Sequence, residues 1–335
     1  MRLENIIALT NAKLLNDPVV SVYEEIVFDA SKVKRGDIFI AFDTSSIEEA
    51  LVNGAYAIIF ENSVHISDDE VAWLQVSSLY NALLRLLRFR LVEKELDVYE
   101  CDEITLGLAQ AIDTDSKVIP LRGDMQTLVK QLWDIPNGSI LLFCQKYTQK
   151  DLFTDVKELP HIHKYHIEII EKTLFEISFI FYNIYYERVQ LSPFFIPFLE
   201  HLLNFYVLQH IDFRIKKFEH LENFEIVFTN KNFQPQEFGS SERVLIFEQN
   251  LSLIEMELDF IQNHAPWAKM IYLLPLHVKD PKGCSDECFF YEKEDDVLKI
   301  LQQQNFHFAL IYGVEKTILE KNFDHIPLKQ LTFDL

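Results

Sequence analysis

The tightest cluster of chemistry-bearing side chains in the sequence is His161-Ile162-His163-Lys164-Tyr165-His166. On a strand, His161 and His163 would share one face at a spacing that suits a metal ion. No carboxylate or cysteine beside them in sequence completes a ligand set, so the reading is a surface strand or loop, and no metal is expected. Cys284 and Cys288 form a CxxxC without a second such motif. A solvated loop accounts for it, with a labile metal or redox site as the alternative. The acid clusters Asp68-Asp69-Glu70 and Glu292 to Asp296 could donate metal ligands, but carboxylates at helix starts complement the dipole, and helix starts are expected at both. Aromatic residues from Phe175 to Tyr186 could stack a base or sugar, yet alternating aromatics in antiparallel strands usually fill a core or interface. No catalytic residue is assigned, because nucleophilic triads are defined by geometry rather than order.

Phosphate chemistry has a sharper sequence test. The chain has only eight glycines in 335 residues, far below the roughly 7% that is typical. No two of them form GxGxxG or GxxxxGK[ST], the loops whose glycines let main-chain N–H groups approach phosphate oxygens. No cofactor is expected. The charge balance of 31 basic against 52 acidic residues gives −21. That balance argues against nucleic acid and anionic membranes as main partners, which reward clustered Lys and Arg. The segment MRLENIIALTNAKLL lacks a clean apolar core with a cleavage site. Phe175 to Tyr186 is too short and too interrupted for the about 20 residues that span a bilayer. No membrane insertion is expected, and four cysteines fit a reducing, cytoplasmic setting.

The elements that must position any site alternate along the chain. Ile38 to Phe42 and Ala55 to Phe60 are strand-like, with a short helix between them that ends at Gly54. Ala72 to Val76 reads as a strand and Ser77 to Glu95 as a helix with Leu79, Leu83, Leu86 and Leu87 on one face. A helix over Gln126 to Trp133 and a strand over Ser139 to Phe143 follow. Tyr165 to Gln190 predicts several antiparallel strands with a turn near Asn183, and Phe194 to Ile211 a buried helix. Strands at Arg243 to Phe247, Lys269 to Leu276, Cys288 to Tyr291 and Phe308 to Tyr312 alternate with helices over Ser252 to Asn263 and Glu294 to Gln304. The pattern is α/β, with breaks expected near 98 and 280.

Within it, Val27-Phe28-Asp29-Ala30-Ser31-Lys32-Val33-Lys34-Arg35-Gly36-Asp37-Ile38-Phe39-Ile40-Ala41-Phe42, followed by Asn53-Gly54-Ala55-Tyr56-Ala57-Ile58-Ile59, resembles the N-terminal domain of Mur ligases of the MurE and MurF type. There a D-S-R-x-V-x-P-G-D-x-F-x-A pattern precedes a G-A-x-A-hydrophobic strand. Leu174 to Leu191 with the following helix, and Leu245 to Ile261 with Lys269 to Tyr272, resemble later parts of the Mur central domain. The tail resembles a shortened C-terminal domain. The resemblance implies a three-part Mur-ligase-like architecture with a reduced central domain: 1–97 an N-terminal α/β domain, 98–280 the reduced central domain, 281–335 a short C-terminal remnant.

In that family ATP activates a carboxylate of a UDP-linked muramyl substrate as an acyl phosphate, which an amine then attacks. Here the segment expected to hold the P-loop is VYECDEITLGLAQAI, Val98 to Ile112, with one glycine and no lysine. Ala30-Ser31 stands where the pattern has Ser-Arg, and Phe247-Glu248-Gln249-Asn250 replaces a DDxYN-type loop. The implied function is a catalytically degenerate Mur-like protein, a binding or scaffolding factor in peptidoglycan precursor synthesis. Its partners would be Mur enzymes or other cell-wall synthesis proteins, or a second copy of itself. The alternative is a nucleotide-sugar-binding protein or enzyme with a rebuilt pocket. For a UDP-sugar ligand the matching residues are Asp29, Ser31, Lys32 and Lys34.

Overall fold

The computed structural model describes residues 2–19, 22–115, 117–148, 150–160, 166–215, 224–237, 239–279 and 287–319. The chain forms two compact units, one of residues 1–106 and 114–160, the other of 107–113 and 161–335.

The first unit runs α1 (Leu3–Thr10), β1 (Lys13–Leu14), β2 (Ile26–Val27), β3 (Ile38–Ile40), α2 (Ile47–Val52), β4 (Ala57–Phe60), β5 (Ala72–Gln75), α3 (Leu79–Leu91) and β6 (Leu96–Glu100). The units divide within α4 (Glu103–Ala111) and β7 (Asp113–Thr114), and the first unit resumes as β8 (Val118–Leu121), α5 (Met125–Leu132), β9 (Ser139–Phe143) and β10 (Lys157–Glu158). Its larger sheet has the order β1-β5-β4-β3-β2 and is parallel except for β1 against β5. Strands β3, β4 and most of β5 are apolar runs, as suits strands covered on both faces. Ile38, Ile40, Ala57, Ile59 and Leu74 share a core with Leu83, Leu86 and Leu87 of α3. Phe39, Ile58, Phe60 and Trp73 pack on the opposite face with Ile47 and Ala50 of α2. The second sheet, β10-β6-β9-β8, is wholly parallel, and its Leu141 and Phe143 join the α3 core together with Leu128, Val129 and Leu132 of α5. Ser78 starts α3 by accepting the Asn81 N–H at 3.3 Å, and Asp124 starts α5 by accepting the Thr127 N–H at 2.8 Å, as N-caps do.

The second unit runs β11 (Glu168–Lys172), β12 (Ile177–Phe181), β13 (Ile184–Val189), α6 (Ile196–Leu208), β14 (Phe213–Arg214), β15 (Phe224–Thr229), β16 (Arg243–Glu248), α7 (Ile254–His264), β17 (Met270–Pro275), β18 (Cys288–Tyr291), α8 (Glu294–Gln303) and β19 (Phe308–Tyr312). Strands β11-β12-β13 form an antiparallel meander. Tyr182 and Asn183 join β12 to β13 with φ of 51° and 66°, the backbone that two-residue hairpin turns require. Phe179 and Phe181 are buried and Phe175 packs on Phe228 and Phe308, as expected of core aromatics, whereas Tyr182 and Tyr185 are exposed. The five-stranded sheet has the order β15-β16-β19-β17-β18, parallel except for β15 at its edge. Leu245, Phe247, Ile271, Leu273 and Ile311 pack there against Val297, Leu298 and Leu301 of α8.

The mixed α/β fold class holds, but the expected domain breaks meet a different arrangement. The break near 98 falls inside β6, whose five residues pair with β9. The break near 280 lies outside the described residues, yet β18 and β19 are hydrogen-bonded into one sheet with β16 and β17. The tail is therefore no separate remnant in its described part. Isolated, β18 and β19 would leave β17 and β16 as open edges and α8 without a core. The Asp68-Asp69-Glu70 cluster also departs from expectation, because it forms a bend before β5, with Asp68 accepting the Glu70 N–H at 2.9 Å, rather than a helix start. Glu292 to Asp296 does open a helix, where the Asp296 carboxylate accepts the Lys293 main-chain N–H at 3.3 Å.

Candidate functional site at the carboxyl ends of β6, β8 and β9

Open parallel sheets bind ligands at the carboxyl ends of their strands, and in the first unit that edge carries its densest polar network. The residues come from three strand ends: Glu100 ends β6 and Asp102 and Glu103 follow it, Arg122 follows β8, and Gln145, Lys146 and Tyr147 follow β9. Lys146 Nζ donates to both oxygens of Glu103, at 2.7 and 2.9 Å, and the Tyr147 hydroxyl donates to Glu103 in a very short contact. Arg122 donates to the Tyr147 hydroxyl at 3.1 Å and lies over its ring at 4.5 Å. Glu100 accepts from Gln145 Nε2 at 2.6 Å and from Lys150 Nζ at 2.9 Å. Burial opposes the Lys146 charge, but the hydrogen bonds and charges of Glu103 and Tyr147 outweigh it and raise its ammonium above the ordinary range. Glu103 is only 10% exposed but Lys146 is half exposed, so solvent screens this pairing in part.

The turn from β6 into α4 is two residues long, Cys101-Asp102. Asp102 accepts the Thr105 N–H at 2.8 Å and the Thr105 hydroxyl at 2.6 Å, and its carbonyl accepts the Leu106 N–H at 3.0 Å. Of the leading amides of α4, which would meet an anion at a helix N-terminus, that of Thr105 is taken by the Asp102 side chain. Glu100, Asp102 and Glu103 set negative charge around them. The chemistry of this edge is that of an ion-paired network, in which Arg122, Lys146 and Lys150 stand beside Glu100, Asp102 and Glu103. Asp102→Ala should lower stability by about 1 kcal/mol, read as a lower midpoint in urea with unchanged slope. Cys101 and Cys144 stand at the ends of neighbouring strands; burial first, then the nearby carboxylates, push the Cys101 thiol up, and burial does the same at Cys144.

Asp29, Ser31 and Lys32 come together on one exposed 3-10 turn. Asp29 accepts the Ser31 N–H at 3.1 Å and the Ser31 hydroxyl at 2.7 Å, and it faces Lys32 at 3.8 Å. The Ser31 hydrogen bond is the main cause that holds the Asp29 carboxyl below its usual range. Lys34 lies past the turn, and its main-chain N–H donates to Asp37 at 2.8 Å. Asp37 is buried and also accepts the Glu25 N–H at 3.3 Å. Gly36 has φ +101° and Gly54 φ +98°, where a side chain on Gly54 would meet the Arg35 main chain at 3.1 Å. The Gly-Asp motif thus has a structural job: it turns the chain into β3 and ties it down. A pocket of about 400 Å³ lies elsewhere in this unit, between the end of α3 and Asp151 to Asp155, with the Arg88–Asp151 ion pair on its rim.

His161, His163, Lys164, Tyr165 and Cys284 lie outside the described residues; His166 faces Glu200 at 3.4 Å. Among the described residues no group of three or more His, Cys, Asp or Glu side chains is placed to hold a metal ion, and no helix is long and apolar enough to cross a membrane. Sequence reasoning missed Arg122, Lys146 and Tyr147. Nothing in their spacing announces them, because strand order alone brings them together.

The arrangement of sheets defines a mixed α/β protein of Mur-ligase-like fold. A crystal structure of MurF from Acinetobacter baumannii matches it with a TM-score of 0.51 at 10% identity, over 93% of this chain and 95% of that one. MurF ligase from Thermotoga maritima, solved in complex with ADP, is 14% identical over 90% of this chain and 96% of that one, with a TM-score of 0.46. No family model and no curated protein matches the sequence.

Proposed function

We propose that this chain is a catalytically degenerate Mur-ligase-like protein that works in the cytoplasm as a non-enzymatic binding or scaffolding factor in peptidoglycan precursor synthesis. The observation that supports this reading is the turn between β6 and α4, which is two residues long, has no glycine or lysine, and is capped by Asp102. A ligase of this type would need main-chain N–H groups, a lysine and a bound metal around the transferred phosphoryl. The proposed partners are Mur enzymes or other cell-wall synthesis proteins, bound alone or with a second copy of this chain. In calorimetric titration, ATP with magnesium should give no saturable heat, and purification from cells should recover cell-wall enzymes. Saturable ATP binding, or co-purification without any cell-wall enzyme, would sink the proposal.

The second reading rests on the Asp29 to Asp37 segment, whose exposed Asp29, Ser31, Lys32 and Lys34 offer charged and hydroxyl groups to a UDP-sugar. Under it, a UDP-N-acetylmuramyl precursor binds without ATP, and Lys32→Ala or Lys34→Ala abolishes the binding. A flat thermal-shift response across UDP-sugars rejects it.

A further inference from the structure

The parallel strands β16, β17 and β19 finish on one edge with Glu248, Pro275 and Tyr312. Two carboxyl side chains are sunk at or beside that edge. Glu248 ends β16 at 0% exposure, and Glu257 on α7 is 1% exposed. The sequence carries a trace of the second, since Glu257 interrupts the apolar stripe of Ile254, Leu258 and Ile261 that faces the sheet. Such a stripe normally excludes an ionised group.

Glu248 is well anchored. Its side chain accepts the Asn250 N–H at 2.5 Å, and its carbonyl accepts the Gly313 N–H at 2.9 Å. Glu257 is the opposite case, because neither of its carboxyl oxygens meets a hydrogen-bond donor. The charged group that acts on it is Glu248 from β16. The turn Leu251–Leu253 has no ionisable side chain, Tyr312 is the one titratable residue of β19, and Glu255 and Asp259 of α7 point to solvent. Two ionised carboxylates could not stay together in such a place, since each would lose its hydration and repel the other. A hydrogen bond between them exists only when one of them carries a hydrogen.

We propose that Glu248 and Glu257 form a buried acid pair sharing one proton, and that this proton latches α7 to the end of β16 and is released as pH rises. The sign follows from burial, with Glu248 as the second cause: both hold the Glu257 acid well above its ordinary value of 4.5. A group raised in this way contributes stability that is complete below its unfolded value and is lost as pH climbs through the folded one. Alkali therefore loosens the β16–α7 junction, and mild acid tightens it. The edge concerned is also where a parallel sheet meets ligands, so the proton sets the charge that any ligand there encounters.

The test uses the full chain and Glu257→Gln, which keeps the shape and supplies a permanent N–H donor to Glu248. Amide exchange in α7, corrected for the intrinsic rate, should accelerate at least tenfold in the unmodified protein between about pH 6 and about pH 9, and by less than twofold in E257Q. Infrared spectra at neutral pH should contain a protonated-carboxyl C=O band that E257Q removes. Because E257Q alone could disturb packing, Glu248→Gln provides the reciprocal donor and should flatten the pH response equally. Equal pH slopes in all three proteins, or absence of the carboxyl band, would overturn the proposal.

Discussion

Trp73→Ala should destabilise the first unit by about 3–5 kcal/mol, the range for removing a large aromatic from a packed core. Trp73 sits in β5 with 0% exposure, in the cluster of Ile47, Ala50, Ile58 and Phe60, and meets Phe60 edge-on at 6.0 Å between ring centroids. Its indole N–H donates to the Asp68 carbonyl at 2.8 Å, and its main chain is held by Asn16 Oδ1 at 3.0 Å. Alanine would leave a cavity under α2 and an orphaned carbonyl in the bend before β5. Chemical denaturation should register a lower midpoint at constant slope. Trp73→Phe, which keeps a ring and loses the donor, should cost about 1–3 kcal/mol. An unchanged midpoint in both variants would mean that this face of the sheet is not packed as described.

The second large effect is expected at Asp37. Asp37→Ala removes the acceptor for two main-chain N–H groups, those of Lys34 and Glu25. Both bonds are partly buried, and leaving a donor unsatisfied costs about 1–3 kcal/mol, so a loss of about 2–4 kcal/mol is expected. Lys32→Ala and Lys34→Ala, on exposed positions of the same segment, should stay within about 0.5 kcal/mol of the parent. The contrast separates two roles that the motif merges. If stability falls at Asp37 while UDP-sugars remain without effect on any variant, the segment is a structural turn; if the two lysine variants lose a precursor that the parent binds, it is a ligand site.

Most regular elements were legible because each has a local cause. The leucine spacing of α3, the stripe of α7 and the Tyr182-Asn183 turn are written within a few neighbouring residues, and all lie where the sequence places them. The elements that escaped have weak local signals. β6 reads Leu-Asp-Val-Tyr-Glu, half polar, and its last three residues overlap the segment where the resemblance expects a phosphate loop. β8 contains Pro120, which argues against a central strand, and the structure resolves the conflict by placing β8 at the edge of its sheet. β15 is likewise an edge strand, half-buried along its four middle residues, with no clear period-2 alternation of burial.

The sequence by itself determined the α/β class, the order of most elements, the glycine-dependent turn before β3, and the lack of a glycine-rich phosphate loop after β6. These depend on side-chain period and on main-chain angles that particular residues permit, both of which are local. The tertiary structure alone decided that β16 to β19 form one sheet, that Glu103, Arg122, Lys146 and Tyr147 close a network, and that Glu248 meets Glu257. Strand order and register join residues far apart in the chain, and they are selected by which apolar faces can be buried together. Where that selection brings charged groups into contact, their chemistry is set by neighbours that no spacing in the sequence reveals.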